Sequence, residues 1–370
     1  MIAGIVWIGT SFYFVALDNH LRPPKPERDR VGGESWEIHG GGFYRIEKYG
    51  VVPERIPEPL HWYKWEAYTT WLSGFALLVV LYYLDADEYL VDPGVADLDR
   101  QSAVALSIGL LAAAWFVYDA LCRVLGRSQL LLAAAIVALV TASAYAVSEL
   151  FSARALPVQV GAMLGTMMVG NVLFVIIPGH WELIRAKQAG REPDPVHGVR
   201  GKQRSVHNNY LTLPVVLAML GPHFAFAFGG EHGWLVLVAL MLVGAWVRHF
   251  FNLRHGGRTV WLIPVTAGLA VLAIAWLVRP DDDEASAGPA VSFSQVAPIV
   301  EQRCATCHSG TSAPLGITFE TSEQIRARAD AIEEVAVHAR VMPPGNATGM
   351  TDEERELLGR WIAQGARVEP

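Results

Sequence analysis

The chain has 370 residues, of which 52% are hydrophobic and only 18% charged, with a formal net charge of −7. An acidic balance argues against a nucleic-acid partner, which requires a basic face. Three cysteines are too few for a disulfide framework, and 12 Trp exclude a disordered chain. What remains is a large soluble protein, or a membrane protein that carries a soluble part.

A helix needs about 20 apolar residues to cross roughly 30 Å of hydrocarbon. Apolar segments near that length recur eight times: Ile2–Leu17, Glu66–Leu84, Ala103–Leu121, Gln129–Ser148, Pro157–Pro178, Leu211–Phe228, Trp234–Phe251 and Thr259–Val278. The first is short and has no basic stretch before it, so it reads as a clipped first helix rather than a signal peptide. The loop from Asp18 to Trp65 is long enough to suggest function. It contains Trp36-Glu37-Ile38-His39-Gly40-Gly41-Gly42-Phe43-Tyr44, whose glycines suit either close backbone approach to a ligand or a bland sharp turn. They do not form a nucleotide-binding GxGxxG.

Charge alternates along the loops. Segments 18–65, 122–129, 179–210 and 248–258 together hold 19 Lys and Arg, whereas 85–102, 149–156 and 229–233 hold 2. Lys and Arg accumulate on the cytoplasmic side, so this pattern predicts eight spans with both termini outside. After Val278 comes an acidic, Gly- and Ala-containing linker at 279–291, and no apolar span follows it. The sequence therefore predicts an all-α protein, an eight-span transmembrane bundle over 1–278 and a small soluble domain over 292–370.

That soluble tail carries Cys304-Ala305-Thr306-Cys307-His308, the C-x-x-C-H signature of covalent haem c attachment. The two thiols add to the porphyrin vinyl groups, and the adjacent His supplies one axial iron ligand. Met342, in Val341-Met342-Pro343-Pro344, is the candidate for the other, ahead of Met350 and His338. A helix over Phe293–Arg303 leads into the motif. Thr351 and Glu354 form a capping box for a second helix with Leu357, Leu358, Trp361 and Ile362 on one face. Such haem is assembled outside the cytoplasmic membrane, the side to which the charge pattern assigns the C-terminus.

Polar groups collect at the predicted inner helix ends. His39 and His61 lie in the first inner loop, His180 follows the fifth span, His207 precedes the sixth, and His249 closes the seventh beside Arg248 and Asn252. With Trp36, Tyr44, Lys64, Glu66, Asn171, Asn208, Asn209 and Tyr210, they suggest a pocket for a polar, anionic, planar ligand. His223, inside the sixth span, is either a second functional site or a neutral His bonded to a carbonyl freed by Pro222. Cys122 reads as small core packing.

Five stretches carry a family resemblance: Trp7-Ile8-Gly9-Thr10-Ser11-Phe12-Tyr13-Phe14, Leu17-Asp18-Asn19, Glu37 through Tyr44, His61-Trp62-Tyr63-Lys64-Trp65-Glu66-Ala67-Tyr68 and Trp71-Leu72-Ser73-Gly74-Phe75. In order and content they resemble the membrane-bound urate oxidases (urate hydroxylases), which join an eight-helix membrane domain to a C-terminal cytochrome c. The resemblance covers essentially the whole chain. It implies oxidation of urate to 5-hydroxyisourate in purine catabolism. It also implies an inner-membrane, multi-pass location with the cytochrome on the periplasmic side.

On this reading the catalytic candidates are His39, Lys64, Glu66, His207, Asn208 and Arg248. Lys64 and Arg248 would bind the urate anion, and His39 or His207 would remove a proton. Electrons would leave through haem c to a respiratory acceptor, such as a cytochrome c or terminal oxidase, without hydrogen peroxide. An inner pocket and an outer haem are separated by about 30 Å of hydrocarbon. That gap raises the expectation of a deep pocket or of a second centre, a b-type haem held by His223 and His249. Two alternatives stay open from the sequence: a membrane dehydrogenase for another small substrate, and an electron-transfer protein without one.

Overall fold

The computed structural model describes residues 2–28, 30–230, 232–278 and 288–368, and most of them are helical. Helix α1 covers Ile2–His20, α2 Trp65–Leu78, α3 Ala86–Tyr89, α4 Arg100–Leu125 and α5 Gln129–Ser148. Helices α6 (Ala155–Gly170) and α7 (Ile177–Gln188) are joined by a π-helical stretch, Asn171–Ile176. Helix α8 covers Pro195–Leu220, α9 Gly233–His255 and α10 Leu262–Val278. The tail supplies α11 (Phe293–Arg303), α12 (Ser322–Arg326), α13 (Ala329–Ile332) and α14 (Asp352–Ala363).

Helix occurs at all eight apolar segments. Among the described residues, five helices are long and apolar enough to cross a membrane: α1, α4, α5, the continuous Ala155–Gln188 and α9. Helix α10 is a shorter apolar helix. The second segment is built from α2 and a π turn over Val79–Tyr83. The sixth stops being α-helical at Leu220 and continues as a 3-10 segment, Gly221–Ala227, broken at Phe224. These helices keep large apolar side chains on their surfaces, including Val124, Leu130, Leu272 and Leu277. A surface of that kind is unfavourable in water and compatible with lipid.

The all-α expectation needs one correction. The long loop after α1 folds into an antiparallel hairpin, with β1 at Val31–His39 and β2 at Gly42–Tyr49, paired from Val31↔Tyr49 to His39↔Gly42. Gly40 and Gly41 make the two-residue turn at φ 58° and 83°. Positive φ at both central residues matches the twist of a hairpin, and glycine adopts it without steric cost. The hairpin is tied to α1 near both ends: Lys48, at its base, bonds Asp18, and His20 Nε2 lies 2.8 Å from Glu37 Oε1, towards its turn. Ser35, then His20, hydrogen-bond Glu37 and hold its carboxyl below the usual carboxylate range.

By packing, the chain divides into two units. One contains Met1–Ala76, Ala162–Leu217 and Met241–Val271; the other contains Leu77–Gly161, Ala218–Leu240 and Leu272–Pro370. In the first, Trp7, Trp62, Tyr68 and Trp71 pack around buried Ala67, Val169, Val172 and Ile177. In the second, the tail has its own apolar core, with Val296, Val300, Leu358 and Trp361 nearly solvent-free. Helices α11 and α14 meet there, with Phe293 and Trp361 rings 5.7 Å apart. Thr351 caps α14 reciprocally with Glu354, as the capping-box spacing predicts. Most of the predicted linker, 279–287, lies outside the described residues.

Candidate functional site

Three helices of the first unit bring polar groups together. Arg248, Asn252 and His255 fall at i, i+4 and i+7 on α9, so they share one face. Asn209 of α8 meets that face: its Oδ1 accepts from Arg248 Nε at 2.9 Å and from Asn252 Nδ2 at 3.0 Å. From α1, Asn19 Nδ2 donates to the Asn252 carbonyl, and the ring of Phe12 lies under the Arg248 guanidinium, 3.7 Å from Cζ to centroid. Arg248 is 3% exposed and Asn209 fully buried.

Four atoms of this cluster are buried without a partner: Arg248 Nη2, Asn209 Nδ2, Asn252 Oδ1 and His255 Nδ1. Each orphaned polar atom costs about 1–3 kcal/mol, so buried polar groups are normally paired. Four on adjacent faces therefore mark a place where something polar belongs. They offer two fixed donors, one fixed acceptor and an imidazole nitrogen that can play either role. A planar heterocyclic anion with alternating carbonyl and N–H groups answers that set, and a guanidinium supplies both charge and in-plane donors.

Neighbouring polar groups are differently placed. His249 Nδ1 is 2.7 Å from Tyr210 Oη, and its ring stacks between Tyr210 and Trp246. Asn171 Nδ2 donates to Asn208 Oδ1 at 2.8 Å, Asn208 Nδ2 to the Met168 carbonyl, and Arg204 Nη1 to Asn171 Oδ1 at 3.2 Å. Asn208 thus has both its amide groups engaged and ties α8 to α6.

In the tail, His308 Nδ1 is 2.9 Å from the Ile317 carbonyl. That contact assigns the N–H to Nδ1 and leaves Nε2 with its lone pair, the arrangement that orients a metal-ligating imidazole. Cys304 and Cys307 are unpaired. Burial pushes the Cys304 thiol up to about 11, against the opposing pull of Arg355. Met342 packs against the tail core, and its carbonyl accepts from buried Arg355 Nη1 at 2.9 Å. The same guanidinium bonds the Ala336 carbonyl, so α14 pins the Met342 loop. Met350 is 3% exposed and belongs to the core itself. Two free thiols, an imidazole held through Nδ1 and a methionine held through its backbone carbonyl are residue types that could hold a covalent haem.

A family model described as Urate oxidase N-terminal matches residues 1–279. The chain belongs to this family. No curated protein and no solved structure matches it. The membership points to an oxidoreductase acting on urate.

Within this urate oxidase-family chain, the structure separates the residues singled out from sequence. Arg248, Asn209 and Asn252 converge. His39 is exposed beside the hairpin turn. Lys64 Nζ lies over the rings of Trp62 and Trp65, and Trp62 stacks on Trp181 at 4.7 Å with His180 nearby. Glu66 has a buried Oε2 with no partner. His207 is half-buried on α8, two residues from Asn209 and so on a different face. His223 is exposed in the 3-10 segment of the second unit. The sequence reading missed His255 and the role of Phe12. Continuing the Arg248–Asn252 spacing by three residues would have reached His255.

Proposed function

We propose that the protein is a membrane-embedded urate oxidoreductase that hydroxylates urate and passes electrons to a haem c in its own tail. The observation that carries the reading is the set of four unpartnered buried atoms around Arg248, in a chain of the urate oxidase family. Arg248 and Asn209 would bind the urate anion by donation, with Asn252 accepting from a ring N–H. Phe12 fixes the guanidinium plane. His255, half-buried on the same face, would take the proton released as water adds to the oxidised ring carbon. The balance is urate monoanion plus water giving neutral 5-hydroxyisourate, one proton and two electrons.

In the tail, Cys304 and Cys307 would hold the porphyrin, and His308 and Met342 the iron. Bound there, haem c would accept electrons singly and release them to a respiratory acceptor, so oxygen need not be reduced to peroxide. Arg355 keeps the Met342 loop in place, and the Ile317 carbonyl keeps the His308 tautomer.

The membrane orientation is read from charge. The loops poor in Lys and Arg, 85–102 and 229–233, carry or adjoin the segments against which the tail packs. Loop charge and folded contacts thus support the same placement of the tail and these two loops together, outside. Anaerobic addition of urate to membranes, followed at the reduced haem band, tests the function. A pyridine-haemochrome spectrum showing c-type haem alone would exclude a b-type relay.

A further inference from the structure

The second unit contains close backbone contacts between the tail and two loops of the apolar helical part. Gly229 follows the 3-10 segment, and a Cβ there would overlap the His338 carbonyl and sit 2.9 Å from the Ala339 carbonyl carbon and oxygen. On the other side, a Cβ at Gly345 would overlap the Asp87 carbonyl and sit 3.0 Å from Glu88 Cα. Asn346 Nδ2 is 3.6 Å from the position a Gly94 Cβ would take. Residues 338–339 and 345–346 bracket Met342, so both flanks of the candidate ligand loop are held. Asp92, in the loop that follows α3, adds an attractive charge to buried Arg355, whose Nη1 holds the Met342 carbonyl. Within the Cys-x-x-Cys-His segment Cys307 is exposed, and Leu315 just beyond it is 96% exposed.

We propose that loops 85–95 and 221–230 form a two-sided socket for the Met342 loop, and that electrons enter the tail from this side and leave by the exposed Cys307 side. The electron-transfer half rests on the function proposed above; the socket itself does not. Gly229 is then a positioning residue. It lies outside the tail and is not itself a candidate haem ligand, its φ is not in the left-handed region, and the three atoms nearest a side chain there are backbone atoms of His338 and Ala339 in the tail. Gly230, with no heavy atom within 4 Å of a Cβ and no positive φ, is the matched control.

The experiment compares full-length Gly229→Val, Gly229→Ala and Gly230→Val with wild type in membranes or detergent. Hydrogen exchange over 85–95 and 338–346 reads the socket without urate; anaerobic rapid mixing with urate reads haem reduction. Covalent haem content and the Met-to-iron charge-transfer band check that the tail is intact. The expected result is faster exchange at both segments and at least tenfold slower haem reduction in Gly229→Val, a smaller step the same way in Gly229→Ala, and wild-type behaviour in Gly230→Val. Unchanged exchange in both Gly229 variants overturns the socket. Altered exchange with an unchanged reduction rate overturns the entry route. A wild-type haem that urate never reduces contradicts the functional reading, and the exchange data then decide the socket alone.

Discussion

Arg248 is the most informative residue to change. It is 3% exposed, donates through Nε to Asn209 Oδ1 at 2.9 Å, and has a buried Nη2 without a partner. In Arg248→Met the apolar stem still covers Phe12, and Asn209 Oδ1 still accepts from Asn252 Nδ2. The substitution therefore creates no new orphan and removes an unpaired donor, so the fold should survive. The substrate anion loses a charge-assisted hydrogen bond of about 1.5–3 kcal/mol. At roughly 1.4 kcal/mol per tenfold, that is about a 10- to 150-fold rise in KM for urate. Arg248→Lys keeps the charge but loses the planar fork, and falls between. Urate decay in isolated membranes, normalised to covalent haem, gives the values. A KM for Arg248→Met within twofold of wild type would refute the placement of substrate at this cluster.

Asn252→Asp puts a carboxylate where an acceptor already stands, pairs internally with Arg248 and repels an anion; its urate KM should rise more than that of Asn252→Ala, and the reverse order would count against an anionic ligand. In the tail, burial alone would raise the Glu354 carboxyl, but the Arg303 guanidinium, bonded to both its oxygens, outweighs this and holds it below the ordinary range. A depressed carboxyl contributes stability above its unfolded pKa, lost as pH falls through the folded value. Glu354→Gln keeps the cap and deletes the charge. It should lower tail stability by about 1 kcal/mol at neutral pH and by almost nothing at about pH 3, read from thermal loss of the haem absorption. An equal loss at both pH values would contradict the assignment.

The helical framework was legible because apolar runs of membrane-spanning length leave few alternatives, and α11 and α14 because cap, periodicity and motif agree. The hairpin was missed although Gly40-Gly41 between β-favouring Trp36, Ile38, Phe43 and Tyr44 is a hairpin signal; the glycines drew attention as a ligand loop instead. Hydropathy also cut helices short. Helix α8 begins at Pro195, sixteen residues before its apolar stretch at Leu211, and α9 runs past Phe251 to His255. Asn209, Asn252 and His255 lie in those polar extensions, while Arg248 lies within the apolar stretch itself. Arg248, Asn209 and Asn252 stood out singly, but their convergence depends on the packing of α1, α8 and α9, which no local pattern encodes. His39 and Lys64 attracted notice by residue type; among the described residues, no hydrogen bond or ring contact joins them to the Arg248 cluster.

On the proposed function, urate electrons reach a haem held by Cys304, Cys307, His308 and Met342. Its most direct test is anaerobic titration of the purified full-length protein with urate, measuring reduced haem c, urate consumed and, on readmitting oxygen, peroxide. Two haems should be reduced for each urate consumed, with electrons exchanged between chains, and no peroxide should match the urate lost. Urate consumed in oxygen with equimolar peroxide and an oxidised haem would contradict it.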